Sequence, residues 1–367
     1  MAAARDAGLT PASALATDSA AAHDASSGFV STGIDATLPP SLRDADARGI
    51  VAGRWLGWRR RALVVLALLG CVGLFTLLRM LSGSPHLDTG WRTNANGQMV
   101  LDSAGDPALR AHIGETLVGV QLADGRLLPP DVLLARRSPR WVIDDVQRND
   151  QLANAAAFSS ALREGDLRLK LAESPAAVPV RTVARGYAGL GAVFWLMTAL
   201  ALVFYLTGAV VVLVQPDERN LLFGLTALAQ TTHLLLIGLD TLPGFDFPAQ
   251  LVPLDLWLRV SCDIVTVAAS VHGLSVWPRR LPFQGLIAVA SWAVALGFIV
   301  TVAFNQVPRL WWWVQGLQLS YFGATWLVLT WSSRLTPHPM AIVMRRLGLA
   351  VFGILLLLTL TVALSQG

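Results

Sequence analysis

Seven apolar stretches, each long enough to cross a bilayer, run through this chain at roughly 62–81, 188–214, 221–239, 253–276, 283–304, 310–331 and 347–364. A helix of about 20 apolar residues spans about 30 Å of hydrocarbon, and each stretch meets that length. Composition agrees. The chain is 54% hydrophobic and 14% charged, against about 25% charged for an ordinary soluble domain. So little charge cannot cover a soluble surface, and much of the chain must face lipid.

Arginine placement predicts an orientation, because short cytoplasmic loops collect positive charge. Arg54, Arg59, Arg60 and Arg61 precede the first stretch, and Arg219, Arg279, Arg280, Arg334, Arg345 and Arg346 fall on the same side. The loops on the opposite side carry only Arg309. The N-terminus is expected in the cytoplasm, and the segment 84–187 and the C-terminus outside. The net charge of +4 resides in these topological arginines, with Lys170 the one lysine, and is no nucleic-acid signature.

Cys71 and Cys262 each fall inside an apolar stretch, which excludes a disulfide framework or a cysteine metal cluster. Leu68-Leu69-Gly70-Cys71 has the outline of a lipoprotein cleavage site, but the apolar run continues through Val72, Leu74 and Phe75. An uncleaved signal anchor over 58–83 is the better reading.

Residues 1–57 lack apolar periodicity and read as a disordered cytoplasmic tail. Residues 84–187 read as a small extracytoplasmic α+β domain. Gln98–Leu101 and Thr116–Leu122 have strand character, with an Asp124-Gly125 turn after the second. A helix is expected over Asp144–Leu162, then strands at Arg168–Leu171 and Val178–Val183 around Glu173-Ser174-Pro175. Twelve basic and twelve acidic residues leave this domain without a charge bias toward any ligand. Short connections make residues 188–367 a six-helix bundle of antiparallel neighbours, with Trp311, Trp312, Trp313 and Trp277 as interfacial anchors. The predicted fold class is therefore a mainly α membrane protein: seven transmembrane helices with a small α+β extracytoplasmic domain between helices 1 and 2.

Polar residues inside the stretches carry the functional signal. Asp255, Arg259 and Asp263 recur at i, i+4 and i+8 on one helical face. Asp263 lies near mid-span, where a charge costs about 3 kcal/mol and must find protein or water, and Arg259 is its expected partner. His233 falls at a depth between those two, and Gln315, Gln318 and Tyr321 lie at similar depth in the sixth stretch. Asp263, Arg259, His233, Asp255 and Gln318 are the candidate intramembrane polar switch, lining an outward-facing pocket. The alternative is structural: an Arg–Asp pair and glutamines that tie helices together. A bis-histidine haem site is disfavoured, since His272 lies on the face opposite Asp263. His86, His112 and the Arg136-Arg137 pair read as solvated surface. No catalytic residue, metal site or cofactor is read: H-E-x-x-H, G-x-S-x-G and phosphate-loop signatures are missing.

Four phrases carry a resemblance: Arg185–Trp195 (RGYAGLGAVFW), Val211–Leu239 (VVLVQPDERNLLFGLTALAQTTHLLLIGL), Val271–Pro282 (VHGLSVWPRRLP) and Pro337–Leu349 (PHPMAIVMRRLGL). With the layout over 55–364 they resemble the N-terminal membrane input region of bacterial membrane-bound sensor histidine kinases. The transmitter motifs of that family are missing, so the resemblance implies signal input, not kinase activity by this chain. It implies a multi-pass protein of the bacterial inner membrane, with the lipid bilayer, a homodimer mate and a periplasmic ligand or protein as partners, and no nucleic acid. The last stretch stops abruptly at Ser365-Gln366-Gly367, so a continuation into a kinase is expected. A small-solute or proton-coupled transporter subunit, or a structural membrane protein with a partner-binding domain, are the rival readings.

Overall fold

The computed structural model of the chain describes residues 40–134, 138–242, 244, 252–277, 280–335 and 339–366. It divides into two units, Met1–Trp55 and Leu56–Gly367; everything below concerns the second, apart from the start of the first helix. That helix, α1, runs Pro40–Ser82. It begins well before the anchor boundary expected at residue 58, with a proline at its first position, where the missing N–H costs nothing. Ala, Arg and Leu carry the helix through the segment read as tail; residues 1–39 lie outside the described residues.

Over Gly57–Ser82 α1 is apolar and long enough to cross a membrane. Val65, Leu68, Leu69 and Val72 are exposed on it, as lipid-facing side chains would be. Tyr205 Oη donates to the Leu66 carbonyl (3.0 Å). A Cβ at Gly70 would lie 2.5 Å from that ring, so only glycine lets it in.

Next comes a sheet domain: β1 (Pro85–Leu87), β2 (Thr89–Thr93), β3 (Met99–Ala104), α2 (Pro107–Arg110), β4 (Leu117–Leu122), β5 (Leu127–Leu128), α3 (Asp145–Glu164), β6 (Leu167–Leu171), β7 (Val178–Val180) and β8 (Thr182–Ala184). Two 3-10 turns, Pro130–Leu133 and Pro139–Trp141, precede α3. The antiparallel order β5-β4-β6-β7 pairs Leu117 with Leu171 and Val120 with Leu169. Leu169 and Leu171 alternate inward, Leu117 and Val120 face the same way across a bulge, and all four meet Phe158, Ala161 and Leu162 of α3 in one core. Asp144 caps α3 by accepting from Gln147 N (2.7 Å), and Gly165 ends it at φ 76°.

Expectation and structure agree on this helix and on the strands around the Asp124-Gly125 turn. The last expected strand, however, splits at Arg181. Its N–H donates to Asp106 Oδ2 (3.1 Å) rather than to the ladder, so β8 leaves the sheet and pairs with β1. β1 and β2, which the sequence reading missed, are three and five residues long. The β1–β8 pair closes the domain on itself, and Arg185 N donates to the Ser84 carbonyl (3.0 Å). The two helices that flank the domain therefore leave it side by side.

Six further helices follow: α4 (Gly191–Val214), α5 (Glu218–Asp240), α6 (Val252–Val276), α7 (Gln284–Ala303), α8 (Leu310–Leu335) and α9 (Pro339–Gln366). Of the described residues, 70% are helical. Among the described residues, five segments are long and apolar enough to cross a membrane: Gly57–Ser82, Ala188–Val214, Glu218–Asp240, Gln284–Ala303 and Ile342–Ser365. α6 and α8, at 25 and 26 residues, have the length but are more polar. They are also central, since α6 packs against α5, α7 and α8. α4 and α5 approach closely at Gly208, where a Cβ would sit 2.7 Å from that of Ala227. The tryptophan cluster divides: Trp311 is buried, with Trp312 and Trp313 exposed.

Candidate functional site

The charged residues of α6 sit on the helix with the most neighbours, and all three find partners. Arg259 is 1% exposed. Its Nε donates to Asp255 Oδ1 (2.9 Å), one turn back on the same helix. Nη1 lies 2.9 Å from Asp240 Oδ2, and Nη2 donates to Asp240 Oδ1 (3.1 Å) and the Leu236 carbonyl (3.0 Å). The last carbonyls of α5 are unpaired within the helix and carry partial negative charge, so a guanidinium is well placed there. This clamp fixes the α5 C-terminus to α6.

Asp263 is not the partner of Arg259, contrary to the sequence expectation. Arg259 is committed to Asp255 and Asp240, and Asp263 instead receives Arg140 from the sheet domain. Arg140 Nη1 lies 2.9 Å from Oδ1 and 2.7 Å from Oδ2. The side chains are 16% and 14% exposed, so water screens the pair only partly. Arg140 belongs to the 3-10 turn Pro139–Trp141, which packs on α6. Its guanidinium also lies over the Trp141 ring, 5.0 Å from the centroid.

His233 joins the two ion pairs. Its Nε2 is 3.0 Å from the Arg259 carbonyl, so the Nε2–H tautomer satisfies that contact. The same nitrogen is 3.5 Å from Asp263 Oδ1 and 3.4 Å from Arg140 Nη1. With His233 neutral, the cluster holds three carboxylates and two guanidiniums, an excess of one negative charge.

A cavity of about 480 Å³ lies beside this cluster, lined by Ser138, Arg140 and Trp141 from the domain and Ile237, Asp240, Thr241 and Arg259 from the helices. Four of the five candidate switch residues, Asp255, Arg259, Asp263 and His233, thus share one network. Gln318 does not enter it: it is buried on α8 among other neighbours. Gln315 Oε1 accepts from Thr359 Oγ1 (3.0 Å), and Tyr321 Oη donates to the Ser291 carbonyl (2.5 Å), so these tie helices together.

The remaining histidines are placed elsewhere. His272 is engaged by Glu218 Oε1 (3.1 Å) and by Trp292 Nε1 (3.2 Å), far from His233 in sequence and partners. His112 is not a solvated surface residue. Its Nδ1 lies 2.7 Å from Glu115 Oε1 and 3.1 Å from Ser174 Oγ. His86 bonds the Val183 carbonyl (3.0 Å), and burial pushes its pKa below the usual histidine value. Arg136 and Arg137 lie outside the described residues. Among the described residues no group of His, Cys, Asp and Glu could hold a metal ion.

Arg140 is the residue that sequence reasoning missed. A signal for it existed in the charge count. Asp240, Asp255 and Asp263 outnumber Arg259, the one arginine near them on α5 and α6 (Arg219 lies at the opposite end of α5), so a second cation had to come from outside these helices. Comparison with protein-family models, curated proteins and solved structures gave no match.

Proposed function

We propose that the chain is a membrane sensory module in which the sheet domain and the bundle are coupled through Arg140 and Asp263. The observation that carries this reading is the ion pair itself. A side chain of the sheet domain reaches a carboxylate near the middle of a helix in the bundle, so a stimulus that shifts the 3-10 turn pulls directly on α6. α6 packs on α5, α7 and α8, and a small displacement there spreads to helices that cross the membrane. In this reading α6 and α8 also cross, their polar groups satisfied by neighbours, which gives seven spans. In this reading the N-terminus lies in the cytoplasm, which the arginine distribution supports, and the sheet domain lies in the periplasm of a bacterial inner membrane, as the resemblance to sensor-kinase input regions implies.

A second reading is proton-coupled solute transport. It draws on the excess carboxylate beside His233, which a single proton would neutralise. The two separate in one experiment. A cysteine and environment-sensitive dye replace Arg280 in the full chain, reconstituted in phospholipid vesicles. The sensory reading expects Arg140→Gln and Asp263→Asn to shift dye emission alike, with no further shift in the double variant. Unchanged emission, with proton movement that depends on Asp263, would replace it by transport.

A further inference from the structure

Two basic side chains face one carboxylate where the sheet domain meets α6. Arg140 Nη1 holds both oxygens of Asp263, at 2.9 and 2.7 Å. His233 Nε2, on α5, stands 3.5 Å from Oδ1 of the same carboxylate and 3.4 Å from Arg140 Nη1. While the ring is neutral, its Nε2–H donates to the Arg259 carbonyl (3.0 Å) and leaves Asp263 to Arg140. A proton added at Nδ1 reverses this. The imidazolium then lies 3.4 Å from a guanidinium nitrogen, a like-charge contact, and 3.5 Å from the Asp263 oxygen, an opposite-charge one.

The groups around the ring decide which contact wins. Arg259 is committed to Asp255 and Asp240, at 2.9 Å each. The Cys262 thiol, next to Asp263 on α6, bonds Thr232 of α5. α4, which also packs on α5, carries Tyr205 as its one titratable side chain, and that hydroxyl is bonded to the Leu66 carbonyl of α1. Among the described residues the charges that face His233 are therefore Asp263, Arg140 and Arg259, with Asp240 and Asp255 behind Arg259. Burial of the ring opposes a charge there. The excess of one carboxylate over the guanidiniums favours it, since a single proton on His233 brings the network to neutrality. Protons can arrive from solvent, because Arg140 and Asp263 are 16% and 14% exposed and Arg140 lines the cavity of about 480 Å³.

With His233 neutral, parting Arg140 from Asp263 strands a half-buried carboxylate. With His233 charged, the carboxylate keeps a counter-ion and that cost is gone. The freed guanidinium still has the Trp141 ring, 5.0 Å away, to lie on. We propose that His233 is a proton-operated release: a proton taken up from the domain side hands Asp263 to His233, frees Arg140 and uncouples the sheet domain from α6. The inference rests on the reading of the Arg140–Asp263 pair as the link between domain and bundle, and adds acidity as what controls that link.

The test is a cycle of Arg140→Gln and Asp263→Asn in the full chain, unfolded in micelles at about pH 8 and about pH 5, an interval in which histidine changes charge. Titrations elsewhere, those of His86 and His272 among them, are common to all four proteins and cancel. The coupling is expected to fall to less than about a third of its value at the higher pH. In a His233→Gln background, whose amide can still donate to the Arg259 carbonyl, it should be the same at both. No coupling at the higher pH would overturn the link and this proposal with it. Equal coupling at both values would leave the link in place and overturn the proton release alone. So would the same loss in the His233→Gln background, which would make Asp263 the group that takes the proton. Should His233→Gln not fold, the wild-type background decides: loss upholds the proposal and persistence overturns it.

Discussion

Arg140 and Asp263, 123 residues apart in the chain, meet with one guanidinium nitrogen 2.9 and 2.7 Å from the two carboxylate oxygens. Neither residue is isolated on its own element. Arg140 is held in a short turn beside Trp141, and Asp263 lies on the helix that three others surround. Removing the cation leaves a half-buried carboxylate without its counter-charge. Arg140→Gln should therefore destabilise the folded chain by about 3 kcal/mol, with Asp263→Asn milder because an amide still accepts. Denaturant unfolding in detergent micelles measures both. Equal, negligible effects would mean that water already screens the pair.

Arg259 offers a sharper case, because its charge is enclosed at 1% exposure. Arg259→Met strands two carboxylates and frees the α5 C-terminus, and the expected loss is about 3–5 kcal/mol. Asp255→Asn should cost less, since Asp240 continues to hold Nη1 and Nη2. The ranking is checked by the midpoint of thermal unfolding. Reversal would show that Asp255 is the main partner.

At the α4–α5 contact, packing rather than charge sets the outcome. Gly208→Val places branched carbon where the Ala227 methyl already is, and overpacking of this kind costs about 1–3 kcal/mol. Gly285→Val is the matched comparison, with open space at its Cβ and no helix-propensity cost, since valine is the better helix former of the two. Thermal midpoints of the two variants should differ accordingly.

The sheet domain should soften in acid through two groups of opposite kind. Burial, with Arg185 nearby, lowers the pKa of His86 below about 6.5. The unfolded chain then binds more protons than the folded one just below pH 6.5, so stability falls as pH drops through that value and levels off below the folded pKa. The carboxyl of Asp106 is held below its usual range by the Ala108 and Arg181 backbone N–H groups. Its contribution is intact above about pH 4 and lost as pH falls through the lowered value. Unfolding of the domain followed from pH 8 to 3 should show both steps. His86→Gln should abolish the first alone.

The sequence made the local elements legible where one periodicity dominated. α3 announced itself through its acidic start and the spacing of Leu152, Phe158 and Leu162, and β4 through its strand-like composition before Asp124-Gly125. The membrane helices were legible by apolar length in five segments. β1 and β8 were not, because short strands are decided by each other and by the Arg181–Asp106 bond. The site was half legible. Spacing put Asp255, Arg259 and Asp263 on one face, and Arg259 does reach Asp255. The identity of Asp263's partner depends on a turn from another domain, and no periodicity in α6 encodes it. Gln318 shared depth with the cluster but lies on α8, and depth alone does not bring side chains together.

A double-mutant cycle on Arg140→Gln and Asp263→Asn, read as unfolding free energy of the full chain in micelles, tests the domain-to-bundle coupling most directly. The geometry predicts a coupling of about 1.5–3 kcal/mol, as for a hydrogen-bonded charge pair shielded from water. Strict additivity, with each variant costing the same whether or not the other is present, would contradict it.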